Sequence, residues 1–180
     1  MPSSLFESVK IPRERIGALI GAAGKIKQKL EKLADVVIGV DSKTGVIDIE
    51  GRGNSANFLD AVNVVRAIGR GFSPENAFLL LGEEQLLDVI KVSDLIGGGE
   101  KSLKTKKGRV IGRKGLAREE IEKATGAKIS VFGKTISIIG SPEAVEIARK
   151  AIEMLLEGAK HKTVIAYLKR EQTEKTKFSI

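Results

Sequence analysis

The stretch Val110-Ile111-Gly112-Arg113-Lys114-Gly115-Leu116 decides the fold. Two glycines flank two cations, after an apolar pair and before a run with helical spacing through Ile121. Glycine has no Cβ, so the backbone at Gly112 and Gly115 can turn left-handed and let another backbone come close. A helix that starts there offers free N–H groups and the positive end of its dipole. Such an end attracts anions, and Arg113 and Lys114 add charge-assisted donors for phosphate. The pattern predicts a clamp for a nucleic-acid backbone.

A second copy lies 91 residues upstream, where Gly21-Ala22-Ala23-Gly24 follows Leu19-Ile20 and precedes Ile26, Leu30 and Leu33 at helical spacing. Reading outward from both copies gives the same order twice, the mark of an internal repeat. In the first, Ser8 to Ile11 predicts a strand ended by Pro12, and Arg15 to Ile20 a short helix. After the loop helix, Val36 to Val40 and Val46 to Glu50 predict strands around a turn at Asp41 to Gly45. Beyond a break at Gly51-Arg52-Gly53-Asn54, a helix is expected from Ser55 to Ile68, with Phe58, Leu59, Val62 and Val65 on one face.

In the second copy, Leu86 to Val92 predicts a strand and Gly97-Gly98-Gly99 a flexible linker, with Lys101 to Ile111 leading into the loop. Leu116 to Ala124 predicts a helix stopped at Gly126, and Lys128 to Phe132 and Thr135 to Ile139 a hairpin through Gly133. Ser141-Pro142 sets an N-cap and a first-turn proline, and Val145, Ile147, Ala148, Ile152 and Leu155 mark the last helix of the repeat. Ser73-Pro74 likewise predicts a short connecting helix to Leu81. The fold class is therefore α+β, with two modules of order β-α-α-β-β-α, each a three-stranded sheet with helices on one face. Expected boundaries are 1–72 for the first module, 73–82 for the connector, 83–168 for the second module, and 169–180 for a polar, frayed tail.

Charge supports this reading. The net charge is +8, and Lys101 to Arg118 holds eight Lys and Arg with no acid. A polyanionic partner is favoured. With no Cys and one His, His161, disulfides are impossible and a zinc site is nearly excluded, so no metal or cofactor is expected. No apolar run approaches membrane-spanning length and Met1-Pro2-Ser3-Ser4 is no signal peptide, which predicts a cytoplasmic protein with no membrane role. Six Phe, one Tyr and no Trp leave few stacking platforms, so an aliphatic groove beside the loop fits better than an aromatic one.

Ile20-Gly21-Ala22-Ala23-Gly24 and Ile111-Gly112-Arg113-Lys114-Gly115, in this strand order, resemble the I-G-x-x-G signature of K-homology (KH) domains of type I topology. The resemblance implies a loop that clamps the backbone of about four single-stranded nucleotides. The stretch from Gly71-Phe72-Ser73-Pro74 to Asp88-Val89-Ile90, and Ile121-Glu122-Lys123-Ala124-Thr125-Gly126, are similar to the partner-of-Nob-one ribosome-assembly factors of the Dim-two and Krr-one type. That implies binding of the 3′ end region of small-subunit (16S) rRNA. It also implies two protein partners: the endonuclease that trims that end, and the alpha subunit of archaeal translation initiation factor two.

Candidate RNA-binding residues follow. Gly112 and Gly115 admit the RNA backbone; Arg113, Lys114 and Arg118 meet phosphates, with Lys107 and Arg109 nearby; Ile111, Ile121 and Ile129 line a groove for bases. In the first module Gly21, Ala22, Ala23, Gly24 and Lys25 form the loop, whose two alanines depart from the basic pattern. That module either contacts RNA weakly or docks protein. Glu119, Glu120 and Glu122 read as the solvent face of their helix. No nucleotide-hydrolase or dinucleotide motif survives inspection: Leu19 stands where either would need its first glycine. An enzyme is not expected. The competing reading is a KH-based scaffold that links assembly or translation-initiation partners and binds RNA only weakly.

Overall fold

The structure, a computed structural model, describes residues 5–53, 56–95 and 99–178. Met1 to Ser4, Asn54, the expected helix start at Ser55, and Gly97-Gly98 of the expected linker lie outside these residues. The chain divides into two compact units, Met1–Leu87 and Asp88–Ile180.

Unit 1 runs β1 (Phe6–Lys10), α1 (Arg13–Ile20), α2 (Lys25–Ala34), β2 (Val36–Asp41), β3 (Val46–Gly51), α3 (Phe58–Gly69) and α4 (Pro74–Ala77), with a 3-10 turn at Phe78–Leu81. Its antiparallel sheet is ordered β1-β3-β2, with Val9 opposite Ile47 and Ile38 opposite Ile49. Those four residues are buried, whereas Ser8, Asp48 and Gly39 share the other, exposed face of the pleat. Period-two alternation thus sets which face carries the core. Helix α3 lies so close to the chain at Ile11 that a Cβ on Gly69 would sit 2.6 Å from Ile11 Cγ2. Leu59, expected in the stripe of α3, is 70% exposed; Ala61, Val64 and Ile68 fill the buried face instead. The expected connector is no free tether, since Ala77 and Leu80 are buried and the 3-10 turn packs on α3. Ser73 Oγ accepts from Asn76 N–H at 3.4 Å, the cap its position predicts.

Unit 2 is fed by β4 (Leu86–Lys91) and runs α5 (Val92–Leu95), α6 (Glu100–Ile111), α7 (Leu116–Thr125), β5 (Lys128–Phe132), β6 (Thr135–Gly140), α8 (Pro142–Glu157) and α9 (His161–Phe178). Its sheet is ordered β4-β6-β5, the same arrangement of successive strands as in unit 1. Ile129, Ile136 and Ile138 from the sheet meet Val110, Ile121, Ala148 and Ile152 from the helices in one buried cluster. The segment before the loop, expected as the first helix of the second β-α-α-β-β-α module, is α6. The tail differs from expectation: the chain past Lys169 continues in α9 instead of fraying, and its Val164, Tyr167 and Leu168 join the core cluster, so the helix is held by tertiary burial, not by its polar composition.

Two polar ties recur at the same repeat positions. Arg15 of α1 donates to the carbonyls of Ile68 at 2.8 Å and Phe72 at 2.6 Å, at the end of α3. Lys106 of α6, 91 residues later, donates to the carbonyl of Leu156 at 2.6 Å, at the end of α8. Each cation meets the negative end of a helix dipole and donates to carbonyls there. The second tie joins the loop helix to the sheet edge, through Glu31 in unit 1 and Glu122 in unit 2.

Leu168 is 4% exposed and truncation leaves a cavity, so Leu168→Ala is expected to cost about 2–5 kcal/mol. Urea unfolding followed by circular dichroism measures this. A loss below about 0.5 kcal/mol, the usual range for surface substitutions, would show that α9 is not part of the unit 2 core.

Candidate nucleic-acid interface

The two loops share one backbone. Gly21 and Gly112 have φ/ψ of 72°/175° and 73°/176°, a region open almost only to glycine. Ala23 and Lys114 follow at φ 53° and 54°, and Gly24 and Gly115 at φ 75° and 81°. Left-handed backbone at a residue with a Cβ costs about 1–2 kcal/mol, so each loop stores strain at its third position. The first glycine is also needed for space. A Cβ on Gly21 would lie 2.3 Å from Ile26 Cγ1, and one on Gly112 would lie 2.6 Å from Ala117 Cβ. The last glycine differs, since a Cβ on Gly115 would meet nothing within 4 Å.

Helices α2 and α7 begin at these loops with glycine as N-cap and no side-chain cap. The N–H of Lys25 and of Leu116 donates back to the carbonyl of Ala22 and of Arg113, and the positive dipole end of each helix lies beside the loop. The side chains of Arg113 and Lys114 are exposed and make no hydrogen bond or ion pair with any described residue. They are free to meet an anion. Other cations of the basic run are committed elsewhere. Lys107 donates to the Gly133 carbonyl, and Arg109 to the Ala159 carbonyl at 2.6 Å. Arg118 Nε is buried without a hydrogen-bond partner, 4.0 Å from Glu122 Oε2. In unit 1 the same backbone carries Ala22 and Ala23, and Lys25 opens α2 in an exposed position.

The apolar residues divide. Ile111 is 37% exposed at the last position of α6 and borders the loop. Ile121 and Ile129, expected in the groove, are 1% and 4% exposed and sit in the core. Their side chains hold α7 and β5 in place, and only the backbone of Ile129 reaches the sheet edge. Sequence reading missed two positions. Leu116, the first residue of α7, is 56% exposed on the other side of the loop from Ile111. Gly17 and Gly108, one turn before each loop, lie inside helices, are exposed, and have nothing within 4 Å of a built Cβ. A helix-interior glycine costs about 1 kcal/mol relative to alanine, and here no packing neighbour within the protein explains it. The shared position in both copies was a visible signal for it.

A KH domain-containing protein of Methanocaldococcus jannaschii is 43% identical over 170 residues, covering 93% of this chain and 74% of that protein. The family model for the second KH domain of PNO1, a eukaryotic-type (type I) KH domain, matches residues 86–173. The chain belongs to the PNO1/Dim2p family of KH-domain proteins. The crystal structure of Dim2p from Pyrococcus horikoshii is 44% identical, with a TM-score of 0.87 over 92% of this chain and 99% of that one. An a/eIF2alpha–aDim2p–rRNA complex from the same organism matches at 43% identity and a TM-score of 0.91, over 96% and 97% of the two chains. The pre-rRNA-processing protein PNO1 of Debaryomyces hansenii is 25% identical, and the chain spans 61% of that protein's length. Among the described residues of this family member, no helix is long and apolar enough to cross a membrane.

The two glycines of the second loop should fail differently. Gly115→Ala is expected to cost about 1–2 kcal/mol from left-handed backbone alone. Gly112→Ala adds overpacking against Ala117, about 1–3 kcal/mol more. Paired denaturant titrations check the order; equal losses would contradict the packing role of Gly112.

Proposed function

We propose that both units are KH modules of type I topology in tandem, at about 1–72 and 83–168 with 73–82 between them, and that the chain binds single-stranded RNA in small-subunit rRNA maturation, near the 3′ end of 16S rRNA. One observation carries this reading: Arg113 and Lys114 are unpartnered cations held in a strained glycine loop at an uncapped helix N-terminus. Gly112 and Gly115 admit the RNA backbone, Arg113 and Lys114 meet its phosphates, and Ile111 and Leu116 border the track. Gly108 leaves the face of α6 bare for close approach. Phosphate contacts position the strand; contacts to base edges specify it. The rRNA in the complex of the Pyrococcus relative, and the pre-rRNA-processing name of the fungal one, support the same direction. In this reading the protein is a binding factor, not an enzyme.

Unit 1 favours a second role. Its loop has the same backbone without charge, and Phe6 and Val37 stand 56% and 42% exposed on its sheet. We place protein docking there, with the alpha subunit of translation initiation factor two as partner, as a/eIF2alpha accompanies aDim2p in the Pyrococcus complex. The resemblance adds the endonuclease that trims the rRNA 3′ end. A scaffold role with weak RNA binding is the competing outcome.

Two measurements test the RNA reading. Neutralising two phosphate contacts lowers the salt slope of log K by about 1.4, at roughly 0.7 per contact for single strands. Arg113→Asp with Lys114→Asp should therefore weaken binding strongly and flatten the slope by at least that amount, with thermal stability unchanged. A fluorescence-anisotropy titration against a 16S 3′-end strand at several salt concentrations reads both. Gly108→Leu should separate folding from binding: stability rises by up to about 1 kcal/mol because leucine is the better helix former, while affinity falls. Unaltered affinity in Gly108→Leu would remove α6 from the RNA track.

A further inference from the structure

Both units carry a carboxylate at the outer edge of the sheet. Ile129 N–H donates to Glu122 Oε1 at 2.8 Å, and Ile38 N–H donates to Glu31 Oε1 at 2.8 Å. Strands β5 and β2 are edge strands in the two sheets. A bare edge residue points both its N–H and its C=O outward, one donor and one acceptor. At Ile129 and Ile38 the donor is already consumed. What stands in its place is an acceptor, the carboxylate.

The second oxygen of each carboxylate takes no hydrogen bond from a described residue. Lys27 Nζ joins Ile38 N–H on Glu31 Oε1 at 2.9 Å, so Oε2 of Glu31 takes no hydrogen bond from a described residue. In unit 2, Glu122 Oε2 lies 4.0 Å from Arg118 Nε, beyond hydrogen-bond reach, and that Nε has no other partner. The Glu122 side chain is 20% exposed, and Arg118 lies in the first turn of α7 after the loop. In unit 1 the charge of Glu31 is matched at 2.9 Å by Lys27. In unit 2 the cation at the same repeat position, Arg118, stands back at 4.0 Å, so the charge of Glu122 is only loosely paired within the protein and an acceptor remains for a donor on the ligand.

We propose that Glu122 is a specificity-determining residue of unit 2, whose carboxylate selects cytosine or adenine over uracil at the β5 edge. This rests on the RNA-binding reading above. Oε1 is anchored by the strand, which fixes the side chain and leaves Oε2 as the acceptor without a hydrogen bond. Cytosine N4 and adenine N6 present a donor to it. Uracil presents O4, a second acceptor, and is repelled. Arg118 supplies donors next to the carboxylate, suited to the ring-nitrogen acceptor that adjoins the amino group in cytosine and adenine. A carboxylate accepting from a base amino group is a known form of direct readout.

Glu122→Gln tests this with little structural change. The amide oxygen still accepts from Ile129 N–H, while the amide NH₂ replaces the free acceptor with a donor. Full-length wild type and Glu122→Gln are titrated with labelled octacytidylate and octauridylate at one fixed salt concentration, with thermal melts as a folding control. Wild type is expected to favour the cytidine strand by about tenfold, in the range of one good base contact. Glu122→Gln should bring the ratio near one or invert it, even as overall affinity rises from lost repulsion. A wild-type protein that binds both strands equally overturns the proposal and leaves RNA binding intact. A cytidine preference that persists unchanged in Glu122→Gln does the same. Absence of saturable, salt-dependent binding to either strand overturns both the RNA-binding reading and this inference.

Discussion

Each module is organised around a backbone reversal that has no room for a side chain. At Gly21 and Gly112 the chain leaves one helix and enters the next through a conformation that only glycine adopts readily. The following helix then packs against the bare Cα: Ile26 in unit 1 and Ala117 in unit 2 occupy the space a Cβ would need. This close approach sets the position of α2 and α7. Those helices in turn bury Leu30 and Ile121 against the sheets. The same reversal lifts the two middle residues of the loop away from the body. Core packing and ligand exposure are two outcomes of one turn.

Polar ties complete what the turn begins. Arg15 and Lys106 lock the helix before the loop to the far end of the last helix of the β-α-α-β-β-α repeat, while Glu31 and Glu122 lock the helix after it to the sheet edge. Hydrogen bonds to charged groups contribute about 1.5–3 kcal/mol where they are partly buried, more than exposed ion pairs do. Four such ties, two per unit, hold the loop's supports without using its own cations. That separation explains why a chain rich in Lys and Arg keeps Arg113 and Lys114 uncommitted.

Much of this was legible in the sequence, and the exceptions share a cause. Strands β2, β3, β5 and β6 announce themselves by alternation and turn residues, and the caps at Ser73 and Ser141 by their prolines. The loops were readable because glycine spacing reports backbone geometry directly. Helix α6 is legible only through the repeat order, since it is Lys-rich, holds Gly108, and buries fully only Val110. Helix α9 lies past the repeat, where only three buried residues, Val164, Tyr167 and Leu168, anchor a mostly polar run. Ile121 and Ile129 are expected in the groove but lie in the core, because sequence shows that a residue is apolar but not which side of its helix or strand is covered. Glu122 looked like solvent surface because its partner, the N–H of Ile129, is a backbone group that sequence cannot display.

The paired loops carry a last consequence. Unit 1 holds a natural charge-deleted copy of the loop in unit 2, with matching torsion angles and alanines in place of Arg113 and Lys114. The repeat thus holds a substitution experiment inside one polypeptide, changing the charge of the loop while keeping its backbone shape. The molecule supplies its own reference state: one guanidinium and one ammonium group are present on one copy of a turn and missing from the other.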